Sequence, residues 1–488
     1  MSKSWTSPGQ NFAFKKLLQY FDVIILPVYL GPLQIYIFRM NKHCTDLLLL
    51  SMYLVISATN CQTLRPLHLS PFIREGKITE AQKLSEVADE RGVIPKSYAG
   101  FITVDQKVGN NLFFWFFPAI QPSVRSSAPL LLWLNGGPGV TSMFGLFHDN
   151  GPIRLSSKIN GSSDYEKWSE SWAETFSMLY IDNPVGVGYS YSESGEEGYR
   201  STQDGYSGNL YEFIEQFYVL FPDHKQRELY IGGASYAGFA YLLAQMIQSG
   251  KSSLPLAGIY LCAPYLDPMS QNLAYMDFYH SKGAVTPRQI DDWKRETIST
   301  ITAFQKGEMT QYAVTEIMES IRPTFGCPDV GNFLSEVYPP FDAVQDVMNS
   351  DRLRRLVHAG DASFLATNMR VYEKLAKDIL HSSSSKLTLL MDKFKVLIYN
   401  GDLDGIVGSP VVEAALASTH WSLQGEYNDS VRLVWKRRDR LLGFYSKVGQ
   451  FCRVVIHNAG HSAGHDQPDV TREMMLQFTT MGCIHEQK

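Results

Sequence analysis

Cysteine is scarce in this chain: there are 6 in 488 residues and none forms a C-x-x-C pair, which excludes a zinc ribbon and a disulfide-built scaffold. A long basic run is also missing. With 44 Lys+Arg against 49 Asp+Glu the net charge is -5, so a nucleic-acid surface is not expected. No internal repeat appears. Charged residues make up 19% and hydrophobic residues 44%, which excludes a mainly disordered chain. What remains is a well-packed globular protein, long enough for one large α/β domain or two to three small ones.

The first sixty residues differ from the rest. Met40 to His43 is short, polar and positively charged, Leu47 to Ile56 is almost purely apolar, and Ser57 to Cys61 is made of small or polar residues. That is the order of a secretory signal peptide. The apolar run makes only about 15 Å of helix, too short to span a bilayer. We expect a working start at Met40, cleavage after Ala58 or Cys61, and entry into the secretory pathway, to a secreted or lysosomal destination. Upstream, Val23 to Phe38 is apolar but broken by Pro27, Gly31 and Pro32. It reads as an extension without structural purpose, with a membrane anchor as the rival reading. In a secretory context Asn160 and Asn428 open glycosylation sequons. Cys262, Cys327, Cys452 and Cys483 could then form up to two bridges, in three pairings.

Four segments follow from the pattern: a leader over 1–61, α/β core over 62–266 and 393–488, and a largely helical cap insertion over 267–392. Phe101–Val104, Leu112–Phe117, Leu130–Leu134, Met178–Ile181, Leu229–Gly232 and Ile259–Leu261 read as strands bounded mostly by Gly, Pro, Asn or Asp. Leu210, Phe213, Ile214, Phe217 and Phe221 share one helical face before Pro222. Strand–helix alternation points to a sheet with helices on both faces. It pauses after about Asp267, where helical spacing takes over, and resumes with Phe394–Tyr399 and Arg453–Ile456.

The chemistry centres on Leu229 to Gly238, where an apolar strand runs into Gly233-Ala234-Ser235-Tyr236-Ala237 and then a helix through Leu242, Leu243, Met246 and Ile247. A nucleophilic serine on a tight strand-to-helix turn needs small neighbours two positions either side, and Gly233 and Ala237 supply them. Serine is a poor nucleophile until an oriented base takes its proton. In α/β-hydrolases an acid and then a histidine follow the serine in chain order. Two aspartates, Asp402 and Asp404, follow the strand ending at Tyr399, and His457 and His461 follow the strand ending at Ile456. The spacing leaves the choice within each pair open. Beside the Tyr236 amide, the turn Asn135-Gly136-Gly137-Pro138-Gly139 can expose a second oxyanion donor. A phosphate loop is disfavoured because no Gly-Lys-Ser/Thr follows, and Gly186-Val187-Gly188 lacks the dinucleotide spacing. His461 and His465 have the spacing of metal ligands, but without the glutamate of H-E-x-x-H no metal is expected.

These motifs resemble the serine carboxypeptidases, and most closely the vitellogenic-like carboxypeptidases of animals. The resemblance runs from about Pro71 to Gly482. Its specific stretches include Ser97 to Val104, Asn111 to Ala119, Trp133 to Gly139, Tyr180 to Gly186, the turn at Ser235, and Gly460-His461 with Asp466-Gln467-Pro468. It implies an α/β-hydrolase fold, with a mixed, mostly parallel central sheet, flanking helices and a helical cap. It implies a triad of Ser235, Asp404 and His461, oxyanion amides at Gly137 and Tyr236, and a site for the substrate's terminal carboxylate at Asn135, Gly136 and Asp149. No cofactor and no metal are implied, and the substrates are peptide or protein C-termini. The oligomeric state stays open, a homodimer included.

The chain departs from the family pattern at the carboxylate site. Ala234 stands where the family has glutamate before the serine, and Asp149 where glutamate is usual. Phe239-Ala240 replaces Lys-Tyr, and Ser462-Ala463-Gly464 replaces an apolar or proline-containing segment. Family cysteines near Cys327 are missing from the cap, so a bridge there is not counted on. The leading expectation is a serine carboxypeptidase with weakened carboxylate recognition. A secreted esterase or acyltransferase on the same scaffold, or a catalytically weak binding or storage relative, are the alternatives.

Overall fold

The computed structural model describes residues 24–30, 33–39, 65–159, 162–236, 238–249, 253–308, 330–335 and 340–485. The signal-like segment 40–61, Asn160, Ala237 and Cys327 lie outside them. The chain divides into two units, Met1–Gln62 and Thr63–Lys488. In the first, β1 (Ile24–Leu30) and β2 (Leu33–Arg39) pair antiparallel. The apolar stretch expected to be either a bland extension or an anchor is therefore a pair of strands on either side of Gly31 and Pro32. Among the described residues no helix is long and apolar enough to cross a membrane.

The second unit is built on a twelve-stranded sheet. Its centre is six parallel strands in the order β16 (Phe451–Ile456), β13 (Lys395–Gly401), β12 (Leu256–Cys262), β11 (Leu229–Ala234), β6 (Leu130–Leu134) and β9 (Ser177–Ile181). Every residue of β6, β9 and β11 is buried. Strands covered on both faces read as continuous apolar runs, and that is why these stood out in the sequence. Antiparallel strands extend the sheet at each end. On one side β5 (Asn110–Phe117), β4 (Ser97–Asp105) and β3 (Glu86–Val87) follow β9; on the other β15 (Arg440–Val448) and β14 (Leu433–Arg437) follow β16. The outer hairpin escaped the sequence reading because β14 buries only Trp435 and otherwise shows polar or exposed positions. The small pair β7 (Ile153–Ile159) and β8 (Ser162–Lys167), and β10 (Tyr191–Ser192) on β5, were likewise not foreseen.

Helix α1 (Gln203–Leu220) carries the expected apolar face, with Leu210, Phe213, Ile214 and Phe217 fully buried. Thr202 caps its start by accepting from the Gly205 amide, and Phe221-Pro222 ends it. Helix α2 (Gly238–Ser249) follows β11. Between β12 and β13 the described elements are all helical: α3 (Pro268–Ser281), α4 (Pro287–Gln305), α5 (Phe341–Met348), α6 (Asp351–Leu356), α7 (Met369–Ile379) and α8 (Ser384–Met391). After β13 come α9 (Ser409–Ser418) and, past β16, the C-terminal α10 (Pro468–Met481). One disulfide, Cys452–Cys483, joins β16 to the residues just beyond α10. Cys262 is buried and free.

Candidate active site

The sheet register brings the candidate residues to one edge. Ala234, Cys262, Tyr399 and Val454 form a single row across β11, β12, β13 and β16. Ser235, Asp404 and His461 follow within a few residues of that row, so all three leave the C-terminal edge of parallel strands.

Ser235 turns the chain sharply, with φ +62°. A side-chain-bearing residue in the left-handed region costs about 1–2 kcal/mol, and the surroundings hold it there. Its amide donates to the Cys262 carbonyl at 2.9 Å, and its own carbonyl accepts from the Tyr265 amide at 2.9 Å. Crowding explains the small residues before it: a Cβ on Gly233 would approach the Leu134 carbonyl oxygen to 2.9 Å.

The two histidines and two aspartates left open by the spacing sort themselves into pairs. His461 Nδ1 lies 2.8 Å from Asp404 Oδ2, and His457 Nδ1 lies 2.7 Å from Asp402 Oδ2. Asp404 is fully buried, and its other oxygen accepts from the Ile406 and Val407 amides at 2.8 and 2.9 Å. With Nδ1 on Asp404, Nε2 is the ring nitrogen whose chemistry can include proton exchange. Cys262 ties this loop to the serine turn: its carbonyl accepts from Ser235, and its thiol points to the His461 carbonyl at 3.7 Å. His465 packs away from the pairing just described. Its ring stacks on His148, with centroids 3.9 Å apart.

The glycine-rich turn meets the serine turn directly. A Cβ on Gly136 would lie 2.4 Å from the Tyr236 amide nitrogen and 2.5 Å from the Ala234 carbonyl oxygen, so only glycine fits. Gly137 has φ +104°, open to glycine alone in practice. The turn is pinned from behind by buried Asp182, whose carboxylate accepts from the Thr141 hydroxyl and from the Ser142 and Tyr189 amides. Burial nevertheless lifts the Asp182 carboxyl to about 7.

A family model described as serine carboxypeptidase matches residues 88–481. A probable serine carboxypeptidase, CPVL, from Rattus norvegicus is 34% identical over 435 residues, covering 85% of this chain and 89% of its own length. The vitellogenic carboxypeptidase of Aedes aegypti is 30% identical over 430 residues, covering 85% and 90%. The chain belongs to the serine carboxypeptidase family. The solved structure of Kex1Δp, a prohormone-processing carboxypeptidase from Saccharomyces cerevisiae, superposes with a TM-score of 0.70 at 20% identity, over 83% of this chain and 98% of that one. At that identity the likeness speaks for the shared α/β-hydrolase fold.

Family membership directs attention to the residues expected to meet a substrate carboxylate. Asn135 is buried, and its Oδ1 accepts from Trp133 Nε1 at 2.8 Å and from the Gly145 amide at 3.2 Å. Both bonds fix the amide plane, with Nδ2 as the group's donor. Asp149 sits in the π-helical turn Gly145–Asn150. Its carboxyl is raised to about 7 because burial disfavours the charge, against the opposing pull of the Ser462 hydroxyl and of His461. Its Oδ1 is buried without a hydrogen-bond partner among the described residues. Ser462, noted in the sequence only as a departure from the family pattern, thus hydrogen-bonds Asp149. The backbone makes room for this contact, since a Cβ on Gly464 would come within 2.5 Å of the Asp149 carbonyl oxygen.

Proposed function

We propose that the chain is a serine-type carboxypeptidase working through an acyl-enzyme, with Ser235 as nucleophile, His461 as base and Asp404 as its orienting acid. The observation that carries this reading is the pairing of His461 with the fully buried Asp404 at the same sheet edge as a serine turn abutting Gly136. Ser235 Oγ attacks the carbonyl of the last peptide bond while His461 Nε2 takes its proton. The oxyanion is held by the Gly137 and Tyr236 amides. Collapse of the intermediate breaks the C–N bond, and His461 returns the proton to the departing amine. Water then attacks the acyl-enzyme by the same route and releases Ser235.

The terminal carboxylate is received by Asn135, the Gly136 amide and Asp149. A neutral Asp149 donates to that carboxylate, whereas a charged one repels it. With Ala234 in place of the family's glutamate, the partner acid of Asp149 is missing, and its unpartnered Oδ1 supports this reading. Losing one hydrogen bond to a charged group costs about 1.5–3 kcal/mol, or roughly ten- to a hundredfold or slightly more in affinity. Discrimination between free and amidated C-termini is therefore weak, and esters are tolerated, which keeps ester hydrolysis or acyl transfer as the second reading. The test compares a peptide pool with free and amidated C-termini on wild type and Ala234→Glu. Sharpened preference for free C-termini in the variant, most of all at low pH, supports the assignment; wild type that already rejects amides strongly refutes it.

The same proposal places the protein in the secretory pathway, secreted or lysosomal. A relative from Apis mellifera, 31% identical over 433 residues, is described as a venom serine carboxypeptidase. The Cys452–Cys483 bridge suits an oxidising compartment, and Asn428 is exposed on the helix Gln424–Asp429. Purified material is expected to begin near Thr59 or Gln62 and to shrink on deglycosylation. An intact Met1 would overturn this routing.

A further inference from the structure

One acid buried in the helical region between β12 and β13 has no part in the chemistry above. Asp378, near the end of α7, is 9% exposed. Its Oδ2 accepts from two phenols, those of Tyr236 and Tyr206, the latter at 3.2 Å. Tyr236 is the residue after the nucleophile, and its amide is one of the two proposed oxyanion donors. Tyr206 comes from α1, and both rings meet Phe239 edge-on, with centroids at 4.7 and 5.3 Å. The Tyr236 side chain is thereby fixed at its far end by a carboxylate and along its length by aromatic packing. Its backbone N–H shares a peptide plane with the Ser235 carbonyl, which accepts from the Tyr265 amide at 2.9 Å, so the side chain holds the second end of a unit whose first end is already tied.

The other end of α7 reaches the other half of the oxyanion site. Asn368 caps the helix by accepting from the Arg370 amide. Its own amide donates to the Gly139 carbonyl at 2.9 Å, and its Nδ2 donates to the Gly186 carbonyl at 2.7 Å. The preceding residues pair with the glycine-rich turn: Thr141 donates to the Ala366 carbonyl at 3.0 Å, and Val140 and Thr367 form an antiparallel bridge. A Cβ on Gly139 would come within 2.7 Å of the Asn368 carbonyl oxygen, so glycine permits this approach. An eleven-residue helix is about 16 Å long. It is a stiff member touching the Gly137 side at its start and the Tyr236 side near its end.

We propose that α7 braces the oxyanion hole, and that Asp378 is a positioning residue that aims the Tyr236 amide through the Tyr236 side chain. The proposal rests on the assignment of Gly137 and Tyr236 as oxyanion donors. Such donors act because they are held in place before charge develops, so a loosened one costs turnover rather than ground-state binding.

The experiment measures kcat and KM on a peptide with a free C-terminus, together with the affinity of an N-acylated dipeptide aldehyde, whose adduct with Ser235 places an oxygen in the hole. For Asp378→Ala we expect kcat to fall about 10- to 100-fold with KM little changed, and aldehyde affinity to fall by the same factor. Labelling of Ser235 by a serine-directed probe should persist, though more slowly. Asp378→Asn keeps an acceptor for the phenols and should recover most of kcat. If Asp378→Ala does not fold, Tyr206→Phe and Asp378→Asn carry the test, with a few-fold loss of kcat matched in aldehyde affinity. Unchanged kcat and aldehyde affinity, or a loss confined to thermal stability, overturn the brace. Wild type that neither turns over the peptide nor labels at Ser235 instead overturns the functional reading on which it rests.

Discussion

Two aspartate–histidine pairs stand side by side at the ends of the same two strands. Asp404–His461 and Asp402–His457 have nearly the same separation, 2.8 and 2.7 Å. Their surroundings differ. The Asp404 side chain is fully buried and that of His461 is 18% exposed, against 29% and 36% for the second pair. Asp404 uses both oxygens, with two backbone amides fixing the one that does not face the histidine. Asp402 has a buried Oδ1 without a partner among the described residues. A short Asp–His contact is thus cheap to form at a strand end. What sets the first pair apart is a carboxylate held rigidly out of water, where its field on the imidazole is least screened.

The comparison breaks most visibly if activity survives loss of the first pair's histidine. Ser235→Ala and His461→Ala should each lower kcat by about a millionfold, and the double variant should be little worse, because the residues act as one unit. Steady-state assays on both singles and the double decide this; a double variant far slower than either single contradicts the assignment. Asp404→Asn should cost about ten-thousandfold by leaving the imidazole in the wrong tautomer.

Asp149 sharpens the comparison, being an acid whose burial changes its charge. Its carboxyl is lifted to about 7 by burial, so it is neutral below that pH and charged above. KM for free C-termini should therefore rise as pH increases through about 7, by roughly ten- to a hundredfold. Asp149→Asn cannot ionise and should flatten that profile; a KM profile that stays steep in the variant assigns the titration to another group. The smallest effect belongs to the second pair. Asp402→Ala and His457→Ala should change kcat only a few-fold, and a loss equal to that of Asp404→Ala would erase the distinction drawn from burial.

Much of this arrangement was legible in the sequence. The six central strands announce themselves as apolar runs because both sheet faces are covered, and α1 shows its buried stripe. The edge strand β14 did not, since it buries only Trp435 and ends in Lys436 and Arg437. At the candidate site, Ser235 stood out through its strand-turn-helix context and the proposed oxyanion turn through its glycines. The choice between Asp402 and Asp404 came only from resemblance, because both sit in turns where aspartate is common and the deciding property, burial by distant segments, has no local signature. Asp378 had no signal at all. It is one acid in an ordinary helical stretch, and its partners, Tyr206 and Tyr236, lie 172 and 142 residues away.

The Cys452–Cys483 bond closes a covalent ring through β16, the His461 loop and α10, spanning 31 positions. A protease that cuts once anywhere inside that ring yields two polypeptides that stay linked, with His461 still tethered to the sheet. On a denaturing gel such a clipped molecule migrates as a single species until a reductant is added, and then releases a short C-terminal fragment.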